Sequence, residues 1–194
     1  MPELPEVLQP EASLEAAAKR FTRRVALTTA VYAVVLAITS LGGNNAMKDT
    51  LLAQQQASDQ WAFYQAKAIR EHQSRVGGLL AELELAAGGA AMPPAARARI
   101  EEIRSRLAAD EARYAAEKKE IEVEARARER ERDLGKAKDP NFDFAEVLLQ
   151  IAIVVASVSI LASSRPLFGL SILFAAAGAL LCLNGYLLLV RLPV

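Results

Sequence analysis

Hydrophobic and polar positions separate along this chain into three apolar segments and one long polar insert. The apolar segments are Val25–Leu41, Val147–Ala162 and Leu167–Val190, and nearly all charged residues lie outside them. Helices of roughly 17–25 apolar residues match a hydrocarbon core of about 30 Å, and a helix satisfies its own backbone groups there. The pattern predicts an all-α membrane protein with three transmembrane helices and a long helical hairpin inserted between the first and second.

The predicted organisation has five parts. Residues 1–24 form an N-terminal tail and short amphipathic helix, 25–41 the first transmembrane helix, 42–143 an extracytoplasmic helical hairpin, and 144–163 and 167–190 the second and third transmembrane helices. For the short N-terminal helix, a cytosolic extension of the first transmembrane helix is the alternative. A cleaved signal peptide is the alternative for the first apolar segment. That segment is longer than the usual apolar region of about 7–15 residues, so we expect it to be a retained anchor.

Basic residues flanking the apolar segments predict the orientation. Four of them directly precede the first segment: Lys19, Arg20, Arg23 and Arg24. Because positive charge stays on the cytoplasmic side, we expect a cytoplasmic N-terminus and an extracytoplasmic hairpin and C-terminus. Arg165, in the link between the second and third segments, agrees with this orientation, whereas Arg191 disagrees.

The insert is rich in helix-forming residues and poor in β-branched ones. The sequence GGAAMPP from Gly88 to Pro94 predicts a helix end followed by a helix start. The insert is therefore expected to be a hairpin, with one arm over about 46–87 and the other over about 95–134.

Four further local signals are expected to interrupt or bound helices. Ser13 is the expected cap of the N-terminal helix, and GGNN at Gly42–Asn45 predicts a turn. The Gly77-Gly78 pair predicts a kink or break in the first arm. The sequence DPN at Asp139–Asn141 predicts the end of the second arm.

Imperfect heptads predict how the arms pack. The first arm has a 3–4 seam that includes Asp59 and Gln73, with apolar members Leu52, Ala62, Ala66, Ile69, Val76, Leu80 and Leu83. The second arm has a seam interrupted by Asp110 and Glu117, with members Ile100, Ile103, Leu107, Tyr114 and Ile121. A loosely packed hairpin, or a bundle completed by partner chains, fits these seams better than a rigid two-stranded coil.

Small residues recur at 4–3 spacing in the apolar segments and predict close helix packing in lipid. The first stripe is Ala26, Ala30, Ala33, Ala37 and Ser40. The second is Ala152, Ala156, Ser159 and Ser163. The third is Ser171, Ala175, Gly178, Cys182 and Gly185. We expect a compact three-helix bundle that self-associates or docks on another membrane protein.

The segment Gln54–Lys67 holds the most unusual chemistry of the insert. Trp and Tyr are enriched at interaction surfaces because they combine large area with a hydrogen-bonding tip. The predicted partner-interaction residues are Trp61, Phe63, Tyr64, Gln65 and Lys67. The alternative is that Trp61 and Tyr64 pack into the hairpin or against the outer rim of the bundle.

Catalytic chemistry is not indicated. The single cysteine, Cys182, and the single histidine, His72, supply no disulfide and no metal-ligand set. His72 with Glu71 and Asp59 is the one acid–base grouping, and a solvated helix surface is its simpler explanation. A formal net charge of zero with mixed signs argues against nucleic-acid binding. We expect no enzyme activity and no cofactor.

The segment LGGNNAMKDTLLAQQQASDQWAFYQAK resembles that of a bacterial membrane-protein family described as a domain of unknown function. The resemblance implies a bacterial cytoplasmic membrane location and no assigned activity. The favoured hypothesis is a non-enzymatic membrane scaffold or accessory subunit, with the lipid bilayer and either copies of itself or a larger membrane complex as partners. The alternative is a homo-oligomeric pore or transport component lined by Gln150 and Asn184.

Overall fold

The computed structural model describes residues 9–192, with side chains from Glu15 onward. This part of the chain forms three α-helices: α1 (Gln9–Gly88), α2 (Pro94–Leu161) and α3 (Arg165–Leu187). Each contains a stretch long and apolar enough to cross a membrane. The prediction of an all-helical chain with three such helices is therefore confirmed.

The connection between α1 and α2 lies where the glycine and proline signals predicted it. A 3₁₀ turn over Gly89–Ala91 follows α1, and α2 begins at Pro94. Gly89 has φ of +46°, a left-handed conformation that favours glycine. Arg97 stabilises the turn, because its Nη2 donates a 2.6 Å hydrogen bond to the carbonyl oxygen of Gly89.

Two predicted interruptions are wrong, because the backbone stays helical through both. Gly42 lies inside α1, where an added Cβ would come within 2.6 Å of Phe142 and 2.7 Å of Tyr186. Glycine is present there to permit close packing rather than a turn. Pro140 lies inside α2, and the neighbouring Asn141 Nδ2 donates to the Ala137 carbonyl oxygen at 3.2 Å. An internal proline costs about 3 kcal/mol, and here the buried Phe142 and the hydrogen bonds of Asn141 to Ala137 and Asn184 oppose that cost.

Three smaller expectations also need correction. The backbone of α1 is already helical before Ser13, so Ser13 does not cap it, and α1 continues through Gly77-Gly78. The helix α3 ends at Leu187 rather than near residue 190. Leu188 adopts a left-handed conformation with φ of 48°, and Asn184 bonds back to the backbone of Val190. Most of the N-terminal tail, residues 1–8, lies outside the described part.

The chain divides into two compact units. The apolar unit contains the described residues up to Asp49 and those from Leu134 onward, and the hairpin unit is Thr50–Asp133. In the apolar unit, α1, α2 and α3 pack around a common core. Its buried members are Val25, Tyr32, Leu149, Ala152, Ala156 and Ala175. In the hairpin unit, the second half of α1 packs antiparallel against the first half of α2.

Candidate interaction surface

The two arms of the hairpin unit meet along a seam of small and polar residues. On α1 this inner seam contains Ala53, Ala57, Trp61, Tyr64, Glu71, Ser74 and Ala81, all buried or half-buried. An added Cβ on Gly77 would lie 3.0 Å from Leu107 Cδ1, which shows how closely the arms approach. On α2 the half-buried side includes the predicted seam residues Leu107, Tyr114 and Ile121, whereas the predicted Ile103 is 41% exposed.

Long polar side chains bridge the arms. Trp61 Nε1 donates to Glu129 Oε1 at 3.0 Å, and Arg132 Nη1 donates to Gln54 Oε1 at 3.2 Å. Four ion pairs also cross the seam: Lys118–Glu71 at 2.6 Å, Arg75–Glu111 at 2.7 Å, Arg104–Glu82 at 3.7 Å and Lys67–Glu117. These bonds set the register of the arms in place of a continuous hydrophobic seam.

The ion pairs shift the titration of their members. The hydrogen bond from Lys118 lowers the pKa of Glu71, and the hydrogen bond from Lys67 lowers the pKa of Glu117. The same contact with Glu71 raises the pKa of Lys118. Each carboxylate is therefore held in its charged form, which strengthens the link between the arms at neutral pH.

The predicted partner-interaction residues divide between two faces of α1. Trp61 and Tyr64 pack edge to face at 5.4 Å, and Lys118 lies 5.6 Å from the Tyr64 ring centroid. Trp61, Tyr64 and Lys67 thus make contacts within the hairpin. For Trp61 and Tyr64 this agrees with the alternative that they pack into the hairpin. Phe63 is 58% exposed, and Gln65 is exposed as well. The face open to a partner therefore lies on another side of α1.

That open face is the heptad seam predicted for the first arm. The structure does not place it between the arms, so it is not the contact of a two-armed hairpin, and the alternative of a bundle completed by partner chains stays a prediction. Its apolar members are exposed: Leu52, Ala62, Ala66, Ile69, Val76, Leu80 and Leu83. Leu83 is 65% exposed and Ile69 59%. We call this face the outer seam of α1. The small residues of the inner seam let the two arms approach more closely than the larger side chains of the outer seam would. Ion pairs between the arms add to this contact.

The small-residue stripes of α2 and α3 lie inside the apolar unit. Ala152, Ala156 and Ser159 are fully buried, and Ala175, Gly178 and Cys182 on α3 are also buried. An added Cβ on Gly178 would lie 3.0 Å from the Ala145 carbonyl oxygen, so these helices approach closely.

The stripe predicted on α1 lies elsewhere. Ala30, Ala33 and Ala37 are exposed, and α1 instead packs through Val25, Tyr32, Thr39 and Gly42. Both stripes have the same spacing and differ by a rotation about the helix axis. The search for small residues missed the packed face of α1 because that face contains the large residue Tyr32, which lies in the core of the bundle.

A polar and aromatic cluster closes one end of the apolar unit. Asn184 Nδ2 donates to Asn141 Oδ1 at 2.6 Å, and Tyr186 Oη donates to the Ile38 carbonyl oxygen at 3.2 Å. The buried Phe142 packs at right angles on Tyr186, with ring centroids 5.1 Å apart. These contacts tie all three helices together. They lie where the sequence predicted a turn at Gly42–Asn45 and the end of the second arm at Asp139–Asn141.

The fold therefore defines an all-helical chain with three span-length apolar helices and a polar-bridged hairpin. The chain belongs to the family described as Domain of unknown function (DUF4337), whose model matches residues 21–188. This confirms the resemblance to a family of that description. No curated protein and no solved structure matches the chain.

Proposed function

We propose that the chain is a non-enzymatic integral membrane scaffold or accessory subunit of a bacterial cytoplasmic membrane, which assembles with a second copy through the outer seam of α1. The distribution of side chains in the apolar unit supports the membrane placement. Small and polar residues such as Ala156, Ser159 and Gly178 are buried, while Leu173 and Leu180 are 65% and 68% exposed. That arrangement suits helices that pack over small residues while their large side chains face lipid.

The same placement is supported by charge. Arg20 and Arg24 on α1 line one pocket together with Arg165 at the start of α3. Basic residues gathered at one end of an apolar bundle fit a cytoplasmic face. In this proposal the N-terminus is cytoplasmic, and the hairpin and C-terminus are extracytoplasmic.

The exposed outer seam is the observation that carries the assembly proposal. A row of apolar residues at 3–4 spacing is what each helix of a coiled coil contributes. Two copies in one membrane share one orientation, so the same segments of α1 meet in parallel. The flanking positions then pair Gln65 with Arg70 and Leu79 with Glu84, so no like charges oppose each other there.

The pore alternative has weaker support. It depended on Gln150 and Asn184 as lining groups. Asn184 is engaged with Asn141 and with the backbone of Val190, and Gln150 Nε2 donates to Glu146 at 3.3 Å. Because both amides already have hydrogen-bond partners in the chain, we favour the scaffold proposal over the pore.

The test is the mass of the full chain extracted in mild detergent, compared between wild type and two seam variants, Ile69→Asp and Leu80→Asp. We expect a defined oligomer for wild type and monomers for both variants. Val123→Asp is the matched control, because Val123 is 66% exposed on the other arm. A monomeric wild type, or an oligomer retained in both seam variants, would contradict assembly through this face.

Two further outcomes are informative. Recovery of a different membrane protein in fixed ratio with a single copy would replace the second copy as the occupant of the seam. Release of the chain from membranes by alkaline carbonate would contradict the integral placement itself.

A further inference from the structure

A pocket between α1 and the start of α3 combines positive charge with aromatic surface. Its volume is about 560 Å³. The lining residues are Ala17, Arg20, Phe21, Arg24, Arg165 and Phe168. Phe21 and Phe168 meet edge to face, with ring centroids 6.0 Å apart. Two helices thus contribute three arginines to one aromatic-walled cavity.

Among the described residues, no acidic side chain lines the pocket to balance this positive charge. The sequence has no aspartate or glutamate between Glu15 and Asp49, and none after Glu146. The pocket therefore favours an anion supplied from outside the chain.

The N-terminus of α3 also favours binding of an anion in this pocket. Ser164 occupies the N-cap position without forming a side-chain cap hydrogen bond, and the first turn holds no acidic residue. A helix N-terminus carries a partial positive charge that favours an anion such as phosphate, although Pro166 in the first turn of α3 has no N–H to donate. Arginine adds a planar, bidentate donor that matches phosphate oxygens.

The surroundings of the pocket point to an amphiphile. Leu27 and Val31 on α1 and Leu170 and Leu173 on α3 are exposed next to the basic residues along each helix. A ligand with an anionic head and acyl chains would satisfy both surfaces. We infer that this pocket binds the headgroup of an anionic phospholipid; the inference rests on the membrane placement proposed above. Basic pockets between membrane helices have this role elsewhere.

The experiment measures lipid retention by the full chain, delipidated in mild detergent and then mixed with phosphatidylglycerol or phosphatidylcholine, by native mass spectrometry. We expect phosphatidylglycerol to be retained preferentially. Arg24→Gln and Arg165→Gln should each weaken its binding roughly fivefold. Arg23→Gln is the matched control, since it removes the same charge from the adjacent position outside the pocket lining.

Equal retention of the two lipids would overturn the inference, as would equal weakening by Arg23→Gln, which would indicate a diffuse basic flank. Displacement of the lipid by glycerol phosphate at the same concentration would assign the pocket to a soluble phosphate and overturn the lipid assignment. Carbonate extraction in parallel separates the two failures. If the chain stays in the membrane but shows no lipid preference, only the lipid-binding inference is contradicted. If carbonate extracts the chain, the proposed membrane placement is contradicted.

Discussion

The indole N–H of Trp61 donates a hydrogen bond to Oε1 of Glu129, on the facing arm of the hairpin. The two residues are separated by 68 positions in the chain. Trp61 is the only tryptophan, so its fluorescence reports directly on the contact between the arms.

Replacing Glu129 with alanine should destabilise the hairpin by about 1 kcal/mol, because the Trp61 N–H loses its acceptor. Glu129→Gln keeps a carbonyl oxygen at the same position and should cost less. Urea titration of the full chain in detergent, followed by Trp61 fluorescence, measures both. Equal destabilisation by the two variants would show that the hydrogen bond is not the relevant contact.

The Glu71–Lys118 and Glu117–Lys67 pairs predict a loss of hairpin stability in acid. Because both glutamate pKa values are lowered in the folded chain, the unfolded state binds protons first as pH falls below about 4.3. The stabilisation is fully present above that pH and disappears as pH falls through the folded values. Urea midpoints measured across this range should show a slope that Glu71→Gln reduces and the exposed control Glu120→Gln does not.

Gly178→Ala should destabilise the apolar unit by about 1–3 kcal/mol, because the new Cβ would lie 2.9 Å from Leu149 Cγ and 3.0 Å from a backbone oxygen. Gly169→Ala is the control on the same helix, where an added Cβ meets nothing within 4 Å. Helix propensity favours alanine there by up to about 1 kcal/mol. Thermal unfolding in detergent should shift in opposite directions for the two variants.

Tyr32→Phe should stabilise the apolar unit. The Tyr32 hydroxyl is buried with no hydrogen-bond partner among the described residues, and removing an unsatisfied buried group recovers about 1–3 kcal/mol. Tyr186→Phe has the opposite expectation, because the Tyr186 hydroxyl bonds to the Ile38 carbonyl. A Tyr32→Phe variant with a lower melting temperature in detergent would indicate that the hydroxyl has a partner in the membrane.

Asp59→Asn should strengthen self-association. Asp59 lies on the outer seam, so in a parallel pair it would face its own copy, and like charges in a seam oppose pairing. The expected effect is a lower dissociation constant, measured by dilution of a fluorescently labelled chain in detergent. Asp49→Asn, outside the seam heptads, should leave the constant unchanged.

Helix ends were predicted correctly where glycine or proline is needed for the local backbone conformation. The left-handed Gly89 and the proline at the start of α2 marked the hairpin connection correctly. The same residue types misled at Gly42 and Pro140. There, packing around Phe142 holds the backbone helical, and that packing involves residues from distant parts of the chain.

The helix faces that pack in the hairpin were also predicted only in part. On α2 the predicted seam is half-buried at Leu107, Tyr114 and Ile121 and exposed at Ile103, so it was predicted in part. On α1 the longer apolar seam is exposed, since small residues and ion pairs give the closer contact. A periodicity count weighs hydrophobic side chains and does not include bonds such as Trp61–Glu129, which depend on the partner helix.

The helical character of the chain, its three segments long and apolar enough to span a membrane, and the position of the hairpin turn could all be predicted from the amino-acid sequence. These properties depend on composition and on neighbours a few residues away. Three further properties became known from the packed structure: which face of α1 is packed, that GGNN and DPN stay helical, and that Arg20, Arg24 and Arg165 share one pocket. Those outcomes depend on close approach between distant helices, where the volume of Gly42 or the reach of Lys118 outweighs local preference.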